Sequence, residues 1–131
     1  MKLQPDKADV QTLTAHGPGW VAINGERVAH SVVVGSRDER QPWHCERFEE
    51  LGPEHFALLA GMRPEVVIFG SGGRIRFPRP AWLEALVRQG VGVETMDTAA
   101  ACRTYNILAG EGRHVVAALL IEPCATAASA G

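Results

Sequence analysis

The feature that most constrains the fold is a regular alternation of helical and strand-like segments between residues 53 and 121. Three segments carry the proline starts, glycine ends or capping residues typical of helices, and three are short and apolar. In chain order they are helix 53–60, strand 65–69, helix 80–89, strand 91–95, a helix from 97 or 98 to about 109, and strand 114–121. This alternation predicts a largely parallel sheet covered by helices.

The first half of the chain has a different pattern. Asn24-Gly25 separates two strand-like segments, 20–23 and 26–34, and predicts a hairpin because both positions of a type I′ turn need a positive φ angle. We therefore predict a single α/β domain over residues 1–124 with three layers: a β-hairpin layer, a mixed, mostly parallel central sheet, and covering helices. The small residues of 125–131 predict a disordered tail.

Composition excludes several classes of function. With 131 residues and a net charge of −2, the chain has no cluster of basic residues for nucleic acid or an anionic membrane. No apolar run approaches the roughly 20 residues that span a bilayer, so no membrane insertion is predicted. The three cysteines form no C-x-x-C pair, which suits a reducing compartment, and we predict a cytoplasmic protein.

A glycine-rich turn, Gly70-Ser71-Gly72-Gly73, follows the apolar strand 65–69. A dinucleotide-binding loop needs a third glycine where this chain has Ile75, and no Gly-Lys-Ser/Thr follows for a triphosphate loop. A nucleophile elbow needs glycine two positions before the serine, where this chain has Phe69. Residues 74–77 are predicted to form a brief strand. The glycines then serve either as a turn that uses their backbone freedom or as part of a small-anion site.

The anion hypothesis depends on parallel pairing of strands 65–69 and 91–95. Their carboxyl ends would then meet at one sheet edge, where the turn 70–73 and the helix start at Asp97 and Thr98 face one crevice. The candidate pocket comprises Gly70, Ser71, Gly72, Thr98, Arg103, Tyr105 and Asn106. Arg103 and Asn106 lie one helical turn apart and can point together. The alternative to a pocket role for them is a solvated face or local hydrogen bonding.

No catalytic residue, metal site or cofactor is predicted. The five histidines form no i,i+4 pair on a helix, and His44 and Cys45, adjacent on an extended segment, would face opposite sides. Cys102 lies near a helix start, which lowers a thiol pKa when the thiol is exposed. We expect Cys102 instead to be buried in the alanine-rich face of its helix.

Three segments of the chain, residues 65–72, 90–108 and 111–120, resemble domain-of-unknown-function family 498. The most specific part is the helix with Thr104-Tyr105-Asn106 and the Glu-Gly-Arg that follows it. The family motif maps onto Gly70, Ser71, Gly72, Thr98, Arg103, Thr104, Tyr105, Asn106, Glu111 and Arg113. The resemblance implies a three-layer α/β fold and no established catalytic role. It also implies kinship with mitochondrial members that act, through protein partners, as assembly factors for respiratory complex I.

Two hypotheses of different classes follow. The favoured one is a non-enzymatic protein-binding module, an assembly factor for a respiratory or membrane complex, which predicts an exposed apolar patch of several hundred Å². The alternative is a small anionic-ligand binder or enzyme that uses the crevice at 70–73 and 97–103, which predicts that Ser71, Arg103 and Tyr105 converge in a pocket. The pattern specifies neither the partner nor an oligomeric state.

Overall fold

The structure, a computed structural model, describes residues 10–123, and the predicted tail 125–131 and the domain limits at 1 and 124 lie outside this range. The strands are β1 (Leu13–Gly17), β2 (Trp20–Ile23), β3 (Glu26–Val28), β4 (Val32–Gly35), β5 (Arg40–Pro42), β6 (Val66–Gly70), β7 (Gly92–Met96) and β8 (Val115–Leu119). The α-helices are α1 (Pro53–Ala60), α2 (Glu84–Arg88) and α3 (Thr98–Gly110), and short 3-10 helices cover Phe48–Glu50 and Pro80–Leu83.

The strands form two sheets. The first is antiparallel, in the order β1-β2-β3, and its hairpin turns at Asn24 and Gly25, which have φ angles of 51° and 86° as the turn requires. The second has the order β5-β4-β8-β6-β7. The predicted hairpin layer and mixed central sheet are therefore confirmed.

The description of the central sheet as mostly parallel needs correction. Strand β6 is parallel to β7 and β8, but β4 is antiparallel to both β5 and β8. Half of the pairings are therefore antiparallel, because a strand from the first half of the chain enters the sheet beside the last strand. The segment 26–34, predicted as one strand, is divided between β3 and β4, which belong to different sheets.

The central sheet has two buried faces. Alternate residues of β8 show this, since Ala117 packs with α3 and the hairpin layer, whereas Ala118 packs on the side of α1 and α2. The first side is mainly aliphatic, and the second contains the ring contacts of Trp43, Phe56 and Phe69. The result is three layers: the hairpin sheet with α3, the central sheet, and the α1–α2 side.

Two local predictions differ from the structure. The predicted helix 80–89 is a 3-10 helix followed by the short α2, and residues 74–77 form no strand. The second difference arises because the backbone there bonds to the Ser71 side chain: the Arg74 carbonyl accepts from its hydroxyl and the Arg76 amide donates to it. A backbone segment held in this way cannot join a ladder.

Candidate functional site

The carboxyl ends of β6 and β7 lie side by side, with Gly70 paired to Met96. Helix α3 begins immediately after β7, and Asp97 caps it by accepting a hydrogen bond from the Ala100 amide at 2.8 Å. The predicted meeting of the glycine turn and the helix start at one sheet edge is therefore confirmed. A groove of about 520 Å³ lies there, between this edge and the turn that joins β1 to β2.

Ser71 is fully buried at this edge. Its hydroxyl donates to the Arg74 carbonyl at 2.8 Å and accepts from the Arg76 amide at 2.8 Å. Its own amide donates to the Met96 carbonyl at 2.8 Å. These bonds use the hydroxyl to shape the loop that follows, and its burial keeps it from solvent.

Gly72 and Thr98 bond to each other. The Gly72 amide donates to Thr98 Oγ1 at 2.9 Å, and the Thr98 amide donates to the Gly72 carbonyl at 2.9 Å. Thr98 Oγ1 also donates to the Leu120 carbonyl at 2.9 Å. The amides of Gly72, Thr98 and Ala100, which could attract an anion, are thus already engaged within the protein.

The two glycines are required for different reasons. At Gly70, a Cβ would lie 3.1 Å from the Thr98 Cα, closer than an ordinary contact, so the close approach of β6 to α3 favours the residue without a side chain. Gly72 has a φ of 98°, and a Cβ there would lie 2.6 Å from both Arg76 Nη2 and Glu122 Oε1.

The other predicted pocket residues lie elsewhere on α3. Tyr105 is fully buried and donates to the Gln11 carbonyl at 2.9 Å. Asn106 bonds both backbone groups of Leu13, accepting from the amide at 2.9 Å and donating to the carbonyl at 2.8 Å. Arg103 is exposed. The structure therefore brings together Gly70, Ser71, Gly72 and Thr98, but it does not gather Ser71, Arg103 and Tyr105 into one pocket.

Sequence reasoning missed the surface next to this edge, the loop of residues 72–79. Arg76 turns inward, donates to the Ser71 carbonyl at 2.7 Å and forms an ion pair with Glu122 at 2.8 Å. Ile75 and Phe77 turn outward, with 50% and 69% of their surface exposed. The alternation of basic and apolar residues from Arg74 to Arg79 is the sequence signal that points to it.

The loop also carries unpaired positive charge. Arg74 and Arg79 are exposed and form no ion pair with a carboxylate of residues 10–123. The Arg79 guanidinium lies 5.9 Å from the centre of the Trp82 ring, within the range of a cation–π contact. The loop is therefore apolar at its tip and positive beside it.

Several other ionisable side chains are either bonded within the protein or buried in their protonated form. The buried His114 pairs with the half-buried Glu39, with Nε2 of the histidine 2.5 Å from the carboxylate. Burial raises the pKa of the Cys45 and Cys102 thiols to about 11, as expected for Cys102 from its alanine-rich helix. Burial also raises the pKa of Tyr105 well above its usual value.

Within residues 10–123, no three histidine, cysteine or acidic side chains are grouped as metal ligands.

Fold and site together define a single-domain protein of the three-layer α/β class. The chain belongs to the family described as protein of unknown function (DUF498/DUF598), whose model matches residues 13–120. The family resemblance drawn from the glycine turn and the Thr-Tyr-Asn helix is confirmed.

The relatives include named and uncharacterized proteins. NADH dehydrogenase (ubiquinone) 1 alpha subcomplex assembly factor 3 of Bos taurus is 34% identical, over 95% of this chain and 68% of that protein. An uncharacterized protein of Rhodobacter capsulatus is 32% identical over 92% of each chain. The crystal structure of a Bordetella parapertussis protein superposes with a TM-score of 0.81 at 38% identity, over 86% of this chain and 97% of that one.

Among the residues that the structure describes, no helix combines the length and apolar character needed to cross a membrane.

Proposed function

We propose that this chain is a cytoplasmic, non-enzymatic protein-binding module, without a cofactor, that assists the assembly of a respiratory or membrane complex. The observation that carries the proposal is that an assembly factor for NADH dehydrogenase matches 95% of the chain. The match spans both sheets and all three described helices, so it concerns the domain as a whole.

The polar residues of the candidate pocket have structural roles, which favours a binding protein over an enzyme. Ser71, Thr98, Tyr105 and Asn106 all donate hydrogen bonds to backbone carbonyls of this protein. Within residues 10–123, every buried side-chain nitrogen and oxygen has a hydrogen-bond partner. Catalytic acids, bases and nucleophiles commonly have a pKa tuned near the working pH, whereas burial moves the pKa values of these thiols and of the Tyr105 phenol upward, away from that range.

The experiment is affinity capture of the tagged full chain from the cells it comes from, after mild crosslinking, with quantitative mass spectrometry. A deletion strain is examined in parallel for assembled NADH dehydrogenase complex. We expect enrichment of subunits of that complex and a lower assembled amount in the deletion strain, restored by the wild-type chain. If repeated capture experiments enrich no protein and assembly is normal in the deletion strain, the proposal is contradicted.

A second candidate function is the binding of a small anion in the groove near Gly72 and Asp97. The groove volume of about 520 Å³ favours it, since this suits a small molecule. The Asp97 carboxylate and the engaged Gly72 amide oppose it. A thermal-shift screen with phosphate, sulfate and small metabolic carboxylates decides the matter: no rise in melting temperature at millimolar ligand removes the anion hypothesis.

A further inference from the structure

We propose that the 72–79 loop is the docking surface of this protein and that it receives an acidic segment of the protein partner. The inference rests on the proposed protein-binding function and adds the location and the chemistry of the contact. Its basis is the combination of a fixed loop backbone, two exposed apolar side chains and two guanidinium groups that have no carboxylate partner among residues 10–123.

Hydrogen bonds of the Ser71 and Arg76 side chains hold the backbone of the loop. The Ser71 hydroxyl bonds both the Arg74 carbonyl and the Arg76 amide, each at 2.8 Å. The Arg76 guanidinium bonds the Ser71 carbonyl and Glu122, and it lies 5.1 Å from the centre of the Phe48 ring. A loop fixed before binding loses less conformational entropy when a partner arrives, which favours recognition at this place.

The outward side chains have the composition of a binding centre. Phe77 exposes 69% of its surface and Ile75 exposes 50%, two positions apart on one loop. Aromatic residues and arginine are enriched among the residues that dominate binding energy at protein interfaces. These two side chains supply the apolar contact, and Arg74 and Arg79 lie on either side of them in sequence.

The positive charge of the loop indicates which side chains the partner presents. Arg76 is neutralised by Glu122, whereas Arg74 and Arg79 find no carboxylate among residues 10–123. Guanidinium groups pair with carboxylates through two parallel hydrogen bonds, so the complementary surface carries Asp or Glu beside an apolar side chain. Two free arginines are fewer than the four to eight or so basic residues typical of sites for anionic membranes, which favours a protein segment.

The experiment places a photo-crosslinker in the loop. The full chain, with p-benzoyl-phenylalanine in place of Phe77, is expressed in the cells it comes from and irradiated, and the crosslinked peptide is sequenced. We expect a discrete protein adduct whose crosslinked segment is rich in Asp and Glu. Adding Arg74→Glu and Arg79→Glu lowers the adduct yield about tenfold, because two attractive charge contacts become repulsive.

The matched control carries Arg37→Glu and Arg63→Glu, which change the net charge equally at exposed positions outside the loop and outside the candidate pocket. Its adduct yield stays at the wild-type level, and unchanged melting temperatures show that all variants are folded. A crosslink to lipid, a crosslink to a segment without acidic residues, or equal losses in both double variants overturns the inference. If position 77 yields no adduct while affinity capture identifies a partner, the inference fails and the proposed function stands. If neither method finds a partner, both fail.

Discussion

Two polar sites, one at the start of α3 and one in its second half, use the same chemistry for different purposes. At the carboxyl end of β6, Ser71 bonds the backbone of Arg74 and Arg76, three and five residues away. Near the end of α3, Tyr105 and Asn106 bond the backbone of residues more than 90 positions away in the chain. The first site shapes a local loop, and the second joins the hairpin layer to the helix.

The difference lies in what covers each site. The Asn106 amide group pairs with the Leu13 backbone, so the hairpin layer itself occupies the surface there. Above Ser71 the chain instead presents Ile75 and Phe77 to solvent. A polar side chain that bonds backbone is thus structural at both sites, and at the Ser71 site the loop that it shapes offers Ile75 and Phe77 to another protein.

The largest effect is expected at the site that joins the layers. Tyr105→Ala removes a fully buried ring and lowers the free energy of unfolding by about 3–5 kcal/mol, because the cavity cannot collapse completely. Tyr105→Phe keeps the ring and costs about 1 kcal/mol for the lost bond to the Gln11 carbonyl. Urea denaturation measures both; equal losses would show that the hydroxyl, and not the ring, dominates this site.

The next effect concerns the loop. Ser71→Ala leaves the Arg76 amide and the Arg74 carbonyl without their partner and costs about 2 kcal/mol. Amide hydrogen exchange in the 72–79 loop becomes faster, while exchange at β1 stays unchanged. Slow exchange in the loop of the variant would mean that Ser71 does not hold it.

Asn106→Ala provides the complementary test. It removes both side-chain bonds to Leu13 and costs about 1–2 kcal/mol, less than the loss of a buried ring because Asn106 is only partly buried. Hydrogen exchange is expected to accelerate at Leu13 and not in the 72–79 loop. Acceleration at both places would contradict the separation of the two sites.

The smallest effect for a single group is a dependence of stability on alkaline pH. The unfolded thiols lose their protons near the ordinary pKa of 9.0, whereas buried Cys45 and Cys102 keep theirs to about 11. The folded state therefore binds more protons above pH 9, and stability that is complete below pH 9 declines as the pH rises towards 11. We expect a loss of about 1 kcal/mol per thiol at pH 10. Urea denaturation from pH 8 to 10 measures it, and Cys102→Ala should remove about half of the slope; an unchanged slope would contradict the assignment.

The sequence alone predicted the parts of the fold that depend on local signals. The alternation after residue 53 gave the α/β class, Asn24-Gly25 gave the hairpin, and two apolar segments gave the parallel pair β6 and β7. The division of segment 26–34 between two sheets was not predictable, since Val28 and Val32 are both apolar and only tertiary contacts assign them to different layers.

The candidate site was predicted less completely, for the same reason. Sequence placed Gly70, Ser71, Gly72 and Thr98 at one sheet edge, which the register of β6 and β7 confirms as their common location. Whether any of the seven pocket residues binds a ligand stays a prediction. The partners of Tyr105 and Asn106 lie 94 and 93 positions away, and no local pattern reports such contacts. The inward turn of Arg76 likewise depends on Glu122, which is distant in sequence.

Hydrogen exchange of the chain with and without its captured partner tests the central claim most directly. If the 72–79 loop is the docking surface, partner binding slows exchange at residues 74–79 and leaves the β1–β2 turn and the start of α3 unchanged. Slower exchange at residues 16–19 and 97–99, with none in the loop, would instead place the partner in the groove and contradict the account.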